Sequence, residues 1–509
     1  MPVFFRSLPR LSGNSLENAA ISPGRFPTRK RQAQASGNRC RSGGWRAGGA
    51  SGNTKARGMK VASVSTQGRQ ASSEHQGTGI QPGLRHAVVL GSGITGLLTA
   101  WYLRQEGLAV TVLDQAQAPG MGASHGNGAQ LSYSYVAPLA GPGVLGQAVT
   151  WLFNPASPLR WRPRADWRQW RWLMQFAAAC NARQSQLTTE RLLRLAFYSR
   201  DLMHAFLETP QGAGLSFSYR RNGKLVVYSD ASALEGARRQ VALQAPLGCE
   251  QQVLDAQACM DAEPALAHPD CGMGRRMVGG VLTPSEEVGD CHAFCVGLQQ
   301  LLQQAGVTFH YGFRVEGWRR RPGAGAHAVF GPQGEVEGDA FVIACGAQSA
   351  PLGAQIGLDL PVYPLKGYSL TLPESSAMPS LNITDLAKKT VYAPLAGRGL
   401  RVAGLVDIVG QDSRLDPARV ALLRREVQAA AAPWLPASPD APCEPWAGLR
   451  PATPKGTPVL GATPIANVFV NVGQGALGWT LAHGSARVVA DVMLGRKPGL
   501  ALDGLLYRR

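Results

Sequence analysis

The sequence predicts an α/β fold of two interleaved domains, one of Rossmann type and one rich in β-strands. Three observations carry this prediction. A strand, a glycine-rich turn, a helical pattern and a second strand follow one another at 86–114. A run at 340–346 is apolar on both faces, as in a central parallel strand, and ends in Gly346. Another apolar strand leads into the glycine-rich run NVGQGALGWT at 471–480, and an apolar helix follows.

The run GSGITG at 91–96 follows an apolar strand and opens a helix, and Asp114 ends the next strand. Gly91 permits the tight turn, Gly93 lets the backbone approach a pyrophosphate, and Gly96 lets helix and strand pack closely. The helix N-terminus offers free N–H groups to phosphates, and the Asp114 carboxylate is placed for ribose hydroxyls. The unit therefore predicts a dinucleotide site, formed by Leu90, Gly91, Ser92, Gly93, Ile94, Thr95, Gly96 and Asp114.

Similar elements recur along the chain, so the dinucleotide-binding domain is predicted to be discontinuous, with parts at 84–150, 281–350 and 445–509. The stretches 151–280 and 351–444 are assigned to the second domain, and the site is expected between the two. Within the second domain, strands at 215–220 and 224–228 flank Asn222-Gly223, which predicts a hairpin. A helix is predicted at 417–431.

Residues 1–80 are predicted to be a disordered, basic extension, because they show no apolar periodicity. They hold 13 of the Lys and Arg residues and 2 of the Asp and Glu residues, so +11 of the net charge of +18 lies there. The rest of the chain lacks a basic, aromatic-interleaved run, which argues against nucleic-acid binding. A transit peptide and a start codon placed too far upstream both stay open, because Met59-Lys60 resembles an ordinary N-terminus.

The nine cysteines are scattered and contain no CxxC pair, which indicates a reducing, cytoplasmic location and no disulfide framework. Cys291 and Cys295 flank His292, but no second ligand pair follows, so we expect buried thiols and no metal. No run of 18 apolar residues predicts a membrane span. A Trp- and Arg-rich segment at 160–174 leaves two alternatives open: a core helix, or a peripheral contact with the inner face of a membrane.

Three further segments show which kind of dinucleotide protein the chain resembles. They are PVYPLKGYS at 361–369, WAGLRPATPKGTPVLG at 446–461 and NVGQGALGWT at 471–480. Together with GSGITG, they resemble the small subunit of bacterial D-amino acid dehydrogenases, within the FAD-dependent D-amino acid oxidase-like superfamily. The resemblance covers about 85–500. It implies a Rossmann-type FAD-binding domain with an interleaved substrate-binding domain, and oxidation of D-amino acids to 2-oxo acids and ammonia.

The resemblance also implies further FAD contacts and the residues that meet the substrate. Ser124 and Asn127 lie in the run SHGNGAQ, which departs from the family pattern because Ala129 displaces one glycine. The implied FAD contacts in these later segments are Ser124, Asn127, Gly346, Gly473, Gly475, Gly478 and Trp479. Arg450 is implied as the clamp for the substrate carboxylate, and Lys366, Tyr368 and Tyr392 as neighbours of the flavin or the pocket.

Several alternatives remain at this stage. For Tyr368 and Tyr392 the alternative is packing in the core, for Lys366 a solvated strand, and for Arg450 a structural ion pair. The resemblance implies that a quinone or another acceptor takes the electrons. Covalent attachment of FAD at His125 is disfavoured, because its position is offset by one. A glycine/sarcosine- or D-hydroxyproline-type flavin enzyme is the main alternative, and a non-catalytic flavoprotein is a second. Oxidase against dehydrogenase action, the preferred D-amino acid and the oligomeric state stay open.

Deleting residues 1–58 should leave folding and flavin content unchanged, because this segment has no apolar face to pack. Thermal melting and flavin absorbance of the truncated and full-length proteins test this. A large loss of either would show that the segment is part of the fold.

Overall fold

The computed structural model describes residues 84–146, 157–321, 325–436 and 441–507. The predicted disordered extension at 1–80 lies outside these residues. Two large sheets organise the described part of the chain.

The first sheet has six strands, and five of them are parallel. In spatial order they are Val459–Ala462, Val468–Val472, Ala340–Ile343, His86–Leu90, Ala109–Asp114 and Thr308–Tyr311, and the first is antiparallel to its neighbour. The central strands are buried on both faces because helices cover one face and a small sheet covers the other. The covering sheet comprises Gly317–Arg321, Gly325–Gly331 and Gly334–Glu337.

The second sheet has nine strands and is mainly antiparallel. In spatial order its main path runs through Glu444–Ala452, Tyr363–Leu372, Gly399–Ile408, Thr390–Leu395, Asn382–Asp385, Lys224–Tyr228, Gly279–Thr283 and Gln252–Asp255. Leu159–Trp161 pairs with Gly399–Ile408 at its side. The short strands Gln130–Leu131 and Glu287–Val288 form a separate antiparallel pair.

The α-helices in the described ranges run from 4 to 26 residues in length. They are Ile94–Gln105, Trp167–Ala179, Ala182–Leu207, Pro210–Ala213, Ala231–Gln244, Ala256–Ala262, Gly272–Arg276, Cys291–Gln304, Ser349–Gln355, Pro417–Ala431 and Gly478–Met493. Short 3₁₀ turns occur at Ala245–Leu247, Pro264–Leu266, Gly346–Gln348, Ala432–Trp434 and Gly475–Leu477. None of the helices in this part of the chain combines the length and the hydropathy that a bilayer crossing requires.

Local sequence explains several helix boundaries. Asp290 precedes Cys291–Gln304 and its carboxylate accepts the N–H groups of His292 and Ala293, which is an N-cap. Asp416 caps Pro417–Ala431, whose first residue is a proline, as helix N-termini favour. The predicted helix at 417–431 is confirmed with the same boundaries. Cys291 and Cys295 are buried and free on their helix.

The predicted hairpin is wrong, because 215–220 forms no strand beyond a single bridge from Arg220 to Val288. Gly223 does make the expected left-handed turn, with φ of 72°. However, Lys224–Tyr228 pairs with Asn382–Asp385 and Gly279–Thr283, which are distant in sequence. Partners from distant segments bury this strand fully, which a two-stranded hairpin could not do.

Sheet membership crosses the predicted domain division at two strands. Gly279–Thr283 and Glu444–Ala452 belong to the nine-stranded sheet, although most of each was assigned to the dinucleotide-binding domain. The neighbouring strands along the chain that belong to the two large sheets lie in the sheet of the domain to which they were assigned. The domain boundaries themselves remain a prediction.

Candidate active site at the ends of the parallel strands

The predicted glycine turn lies at the carboxyl end of the central strand His86–Leu90. Gly91 has φ of 107°, and a Cβ there would lie 2.6 Å from the carbonyl oxygen of Ala344. A Cβ on Gly96 would lie 1.9 Å from the Gly91 oxygen. Only glycine fits either position, so both have the packing roles that the sequence predicts.

Gly93 differs from its neighbours because the protein itself leaves room there. Its φ is −71°, and an added Cβ would make an ordinary 3.5 Å contact with the Ser124 hydroxyl. Gly93 also begins the helix Ile94–Gln105 with no side-chain cap, and Ser124 Oγ accepts the N–H of Ile94 at 3.1 Å. Glycine here therefore suits a group outside the polypeptide, as a pyrophosphate at a helix N-terminus would be.

Asp114 and Ser92 are joined at the ends of neighbouring strands. The backbone N–H and the hydroxyl of Ser92 donate to Asp114 Oδ2 at 2.6 and 2.7 Å, and Ala116 N–H donates to Oδ1 at 2.8 Å. The carboxylate therefore lies beside the glycine turn, where a ribose would follow the pyrophosphate. Leu90 and Ile94 are buried in apolar clusters, whereas Gly93 and Thr95 keep accessible surface.

Two further glycine turns flank the same edge of the sheet. Gly346 has φ of 54° and Gly475 has φ of 59°, and neither would meet a protein atom within 4 Å if a Cβ were added. Gly473, with φ of 84°, abuts Thr453, and Gly478 begins the helix Gly478–Met493. These open, left-handed turns fit a bound group that lies across the strand ends.

Hydrogen bonds connect these turns to the strand that carries Arg450. Gln474 pairs with Ala452 of Glu444–Ala452 in an isolated β-bridge, and its amide donates to Asn471 at 2.6 Å. The Asn471 amide in turn donates to Thr99 Oγ1 at 3.0 Å and to the Thr95 carbonyl at 3.4 Å. The two sheets thus meet at the predicted cofactor turns.

The loop at 124–130 lies on the nine-stranded sheet. Asn127 accepts the N–H of Ala129 through its side chain at 2.9 Å, and its carbonyl accepts from Arg401 at 3.0 Å. Ala129 has φ of 58°, a conformation that favours glycine, at the place where the sequence departs from the family pattern. The Asn127 turn and burial hold Ala129 in this conformation.

Arg450 lies on one face of the nine-stranded sheet together with Gly367. An added Cβ on Gly367 would lie 2.3 Å from the guanidinium, so the side chain crosses directly over this glycine. Nη1 donates to the Leu405 carbonyl at 3.2 Å, and no carboxylate in the described part of the chain pairs with Arg450. Burial lowers the pKa of the Arg450 guanidinium from its ordinary value. The structural ion pair considered as an alternative is therefore absent among the described residues.

Tyr368 and Tyr392 lie on the opposite face of the sheet, so the structure does not bring them to Arg450. Leu365 pairs with Arg450, and side chains alternate along a strand, which turns Tyr368 away. Tyr392 packs edge-on against Trp434, with ring centroids 5.3 Å apart, in the buried cluster that also holds Tyr368. Core packing, the alternative for both tyrosines, is what the structure shows.

Lys366 and Trp479 also differ from their predicted positions. Lys366 is buried behind the sheet near Tyr368, where burial lowers the pKa of its ammonium. The Trp479 ring lies in an aromatic cluster with Phe294 and donates to the Gly289 carbonyl at 3.1 Å. Its side chain therefore faces the core, and only its backbone remains near the turn. Both positions depend on which face of its strand or helix the residue occupies. The residue types alone do not predict that face.

Sequence reasoning missed Gly367 and Leu405. A glycine inside a predicted strand indicates that another group approaches the backbone closely. Gly367, between Lys366 and Tyr368, is such a glycine. Leu405 has φ of 59° and offers its carbonyl to Arg450, but nothing in a leucine predicts this conformation.

Comparison with known proteins identifies the family. The family model described as FAD dependent oxidoreductase, DAO, matches residues 86–492. The chain belongs to this family. FAD is therefore its cofactor. That the glycine turns hold it remains a prediction.

Curated relatives and solved structures agree with this assignment. The chain is 47% identical over 426 residues to D-amino acid dehydrogenase 2 of Ralstonia nicotianae, covering 81% of this chain and 97% of that protein. It is 43% identical over 429 residues to D-amino acid dehydrogenase 2 of Pseudomonas aeruginosa, covering 82% and 97%. Glycine oxidase from Geobacillus kaustophilus shares the fold, with a TM-score of 0.63 at 19% identity, covering 84% of this chain and 99% of that one.

Replacing Gly93 with valine should give folded protein that lacks flavin, because the Cβ makes only an ordinary contact with the Ser124 hydroxyl, whereas a bound pyrophosphate would meet the added side chain. Absorbance of released FAD and a thermal melt measure both properties. Gly96→Ala is the contrasting variant and should instead destabilise the fold, since its methyl group overlaps the Gly91 carbonyl. Full flavin content in Gly93→Val would contradict the assignment of the pyrophosphate to this turn.

Proposed function

We propose that this chain is an FAD-dependent D-amino acid dehydrogenase that converts D-amino acids to 2-oxo acids and ammonia. The observation that supports it most is Arg450, a half-buried guanidinium with no carboxylate partner in the described residues. A charge in such a place requires a counter-charge, and a substrate carboxylate supplies one. The D configuration rests on the names of the two relatives.

Arg450 is placed to bind and orient the substrate. Because Nη1 is held by the Leu405 carbonyl, Nε and Nη2 remain for the two oxygens of a carboxylate. The strand Glu444–Ala452 contacts the turns at Gly346–Gln348 and Gly475–Leu477, so a clamped substrate would lie beside the predicted flavin site. FAD held at these turns would supply a hydride acceptor for the substrate Cα; the resulting imino acid would be hydrolysed by water, and the electrons would go on to a quinone or another acceptor.

The remaining elements exclude water and favour reduction. The helix Gly478–Met493 begins at the glycine turn with no side-chain cap, so its N-terminal dipole can stabilise negative charge there. Buried apolar residues lie behind both glycine turns. Hydride transfer from a neutral amine needs no strong protein base, so the proposed role of Arg450 is to bind the carboxylate.

Arg450→Lys should keep the flavin, raise KM and slow flavin reduction, because lysine keeps the charge and loses the planar fork. A misplacement of about 1 Å can slow the reaction on the order of 100-fold. Arg450→Met should be worse, at a cost of roughly 2–5 kcal/mol, because the carboxylate would enter unpaired. Anaerobic flavin bleaching by D-amino acids and by their amides measures this, with the exposed Arg425→Met as the matched control.

Wild-type protein should discriminate strongly against the amide, and Arg450→Met should not. Near-normal reduction of Arg450→Met by D-amino acids, with flavin bound, would assign Arg450 a structural role. Including glycine, sarcosine and D-proline derivatives in the panel separates the glycine-oxidase-type alternative. A flavin that no amino acid bleaches would favour a non-catalytic flavoprotein.

We also propose that the protein contacts the inner face of a membrane from the cytoplasm through the helix Trp167–Ala179. Trp167 is 69% exposed and Met174 is 55% exposed on this helix. Arg162, Arg164 and Arg168 are exposed nearby and have no carboxylate partner among the described residues. Indole rings favour the headgroup region, and arginines favour anionic lipid.

The opposite side of the same helix supports a link to the redox site. Trp172 is buried and donates to the Ala452 carbonyl at 2.9 Å, two residues from Arg450. A surface held so close to the proposed site would suit electron delivery to a lipid-soluble quinone.

Trp167→Ala/Met174→Ala should weaken sedimentation with anionic vesicles and leave reduction by D-amino acids in solution unchanged. Leu243→Ala, which removes an exposed side chain on another helix, is the control. Equal vesicle binding by all three proteins, or none by any, would rule out this contact.

A further inference from the structure

The strands Tyr363–Leu372 and Gly399–Ile408 lose register at a single place. Lys366 pairs with Asp407, but Tyr368 pairs with Gly404, so two residues, Leu405 and Val406, oppose Gly367. This is a β-bulge, in which one strand carries an extra residue. Leu405 has φ of 59°, which is uncommon for a residue with a side chain. Such a feature persists where the surrounding structure enforces it.

The bulge presents a carbonyl to Arg450 across an intervening strand. Arg450 lies on Glu444–Ala452, which pairs with Tyr363–Leu372, and Leu405 lies beyond that strand. Arg450 Nη1 nevertheless reaches the Leu405 oxygen at 3.2 Å. It can do so because Gly367 has no side chain at the crossing point, where a Cβ would lie 2.3 Å from the guanidinium. In a regular strand the carbonyl would lie in the plane of the sheet.

A buried network on the other face holds the bulge in place. Tyr368 donates its hydroxyl proton to Asp407 Oδ2 at 2.8 Å, a bond that spans the break in register. The fully buried Asp407 also binds Arg160 and forms an ion pair with Arg419 at 2.9 Å. Arg419 in turn donates to the Ser157 carbonyl at 2.8 Å, which fixes the end of the neighbouring strand.

We infer that Gly367, Leu405 and Tyr368 are positioning residues for carboxylate recognition, because they set the direction of the Arg450 guanidinium. This inference rests on the proposed role of Arg450 as the substrate clamp. The bond from Nη1 to the Leu405 carbonyl fixes one end of the guanidinium, so the remaining N–H groups face the substrate in one orientation. Tyr368 thus acts on the substrate through the bulge and does not contact it.

Each residue makes a separate contribution that a variant can remove. Gly367→Ala adds a methyl group against the flexible end of Arg450, so the side chain shifts while the fold and the flavin remain. Leu405→Val places a β-branched residue at positive φ, which strains the bulge and turns its carbonyl. Leu405→Gly removes the side chain but adopts the left-handed conformation freely, so the bulge remains. Leu400→Val deletes the same atoms at a buried, regular position of the same strand.

The experiment measures kcat, KM, flavin content and thermal melting for these variants with a D-amino acid and its amide. Gly367→Ala and Leu405→Val should each raise KM for the amino acid about tenfold or more, because a hydrogen bond from a charged group contributes roughly that factor. They should also reduce the preference for the acid over the amide, with flavin content unchanged. Leu405→Gly should bring KM back close to the wild-type value. Leu400→Val should lower the stability of the protein and leave KM unchanged.

The same data separate failure of this inference from failure of the proposed function. If Gly367→Ala and Leu405→Val alter melting but keep KM and the preference for the acid, the bulge is structural only. If Leu400→Val raises KM as much as Leu405→Val does, the effect belongs to core packing and the inference is overturned. If Arg450→Met itself keeps the preference for the acid, the proposed clamp fails. Tyr368→Phe, which removes the bond across the break and the 3.4 Å bond that the hydroxyl accepts from Arg160, should move KM in the same direction as Leu405→Val.

Discussion

A backbone bridge between Ala452 and Gln474 joins the two sheets at the candidate site. Ala452 ends the strand that carries Arg450, and Gln474 lies in the last glycine turn. The Gln474 amide continues through Asn471 to the first helix of the dinucleotide unit. The cofactor turns and the proposed clamp therefore share one hydrogen-bonded framework. Their relative position depends on buried hydrogen bonds, which are expensive to break without replacement.

The charged groups on the two faces of the nine-stranded sheet have different partners. Behind the sheet, Asp407 is fully buried but is met by two arginines and a tyrosine hydroxyl. In front of it, the half-buried Arg450 has only a neutral carbonyl as partner, and no described carboxylate pairs with it. A compensated charge stabilises structure, whereas an uncompensated one favours binding of the opposite charge. The contrast is the physical basis for assigning Asp407 to the architecture and Arg450 to the substrate.

Glycines occur in two chemically different settings around the site. Where the polypeptide itself crowds the position, as at Gly91 and Gly96, glycine serves packing. Where no protein atom lies nearby, as at Gly346 and Gly475, it leaves room for a bound group. Ala129 and Leu405 adopt left-handed conformations without being glycine, and each is buried and held by hydrogen bonds of its neighbours or its own carbonyl. The strain, on the order of 1–3 kcal/mol each, marks the places where the fold shapes the site.

The sequence by itself determined the dinucleotide unit, because its turn, helix and strands follow one another along the chain. It also determined the helix Pro417–Ala431, whose cap and proline lie next to one another. The family resemblance supplied Arg450. Only the tertiary structure decided which face of a strand each side chain takes, and it placed Tyr368 and Tyr392 away from Arg450. The predicted hairpin gave way to pairing with strands from distant segments. A register break that the residue types do not predict turns the carbonyl of Leu405 toward Arg450. The register of the strands, and the face of the sheet on which each side chain lies, depend on pairing between residues far apart in sequence, so a local pattern cannot fix them.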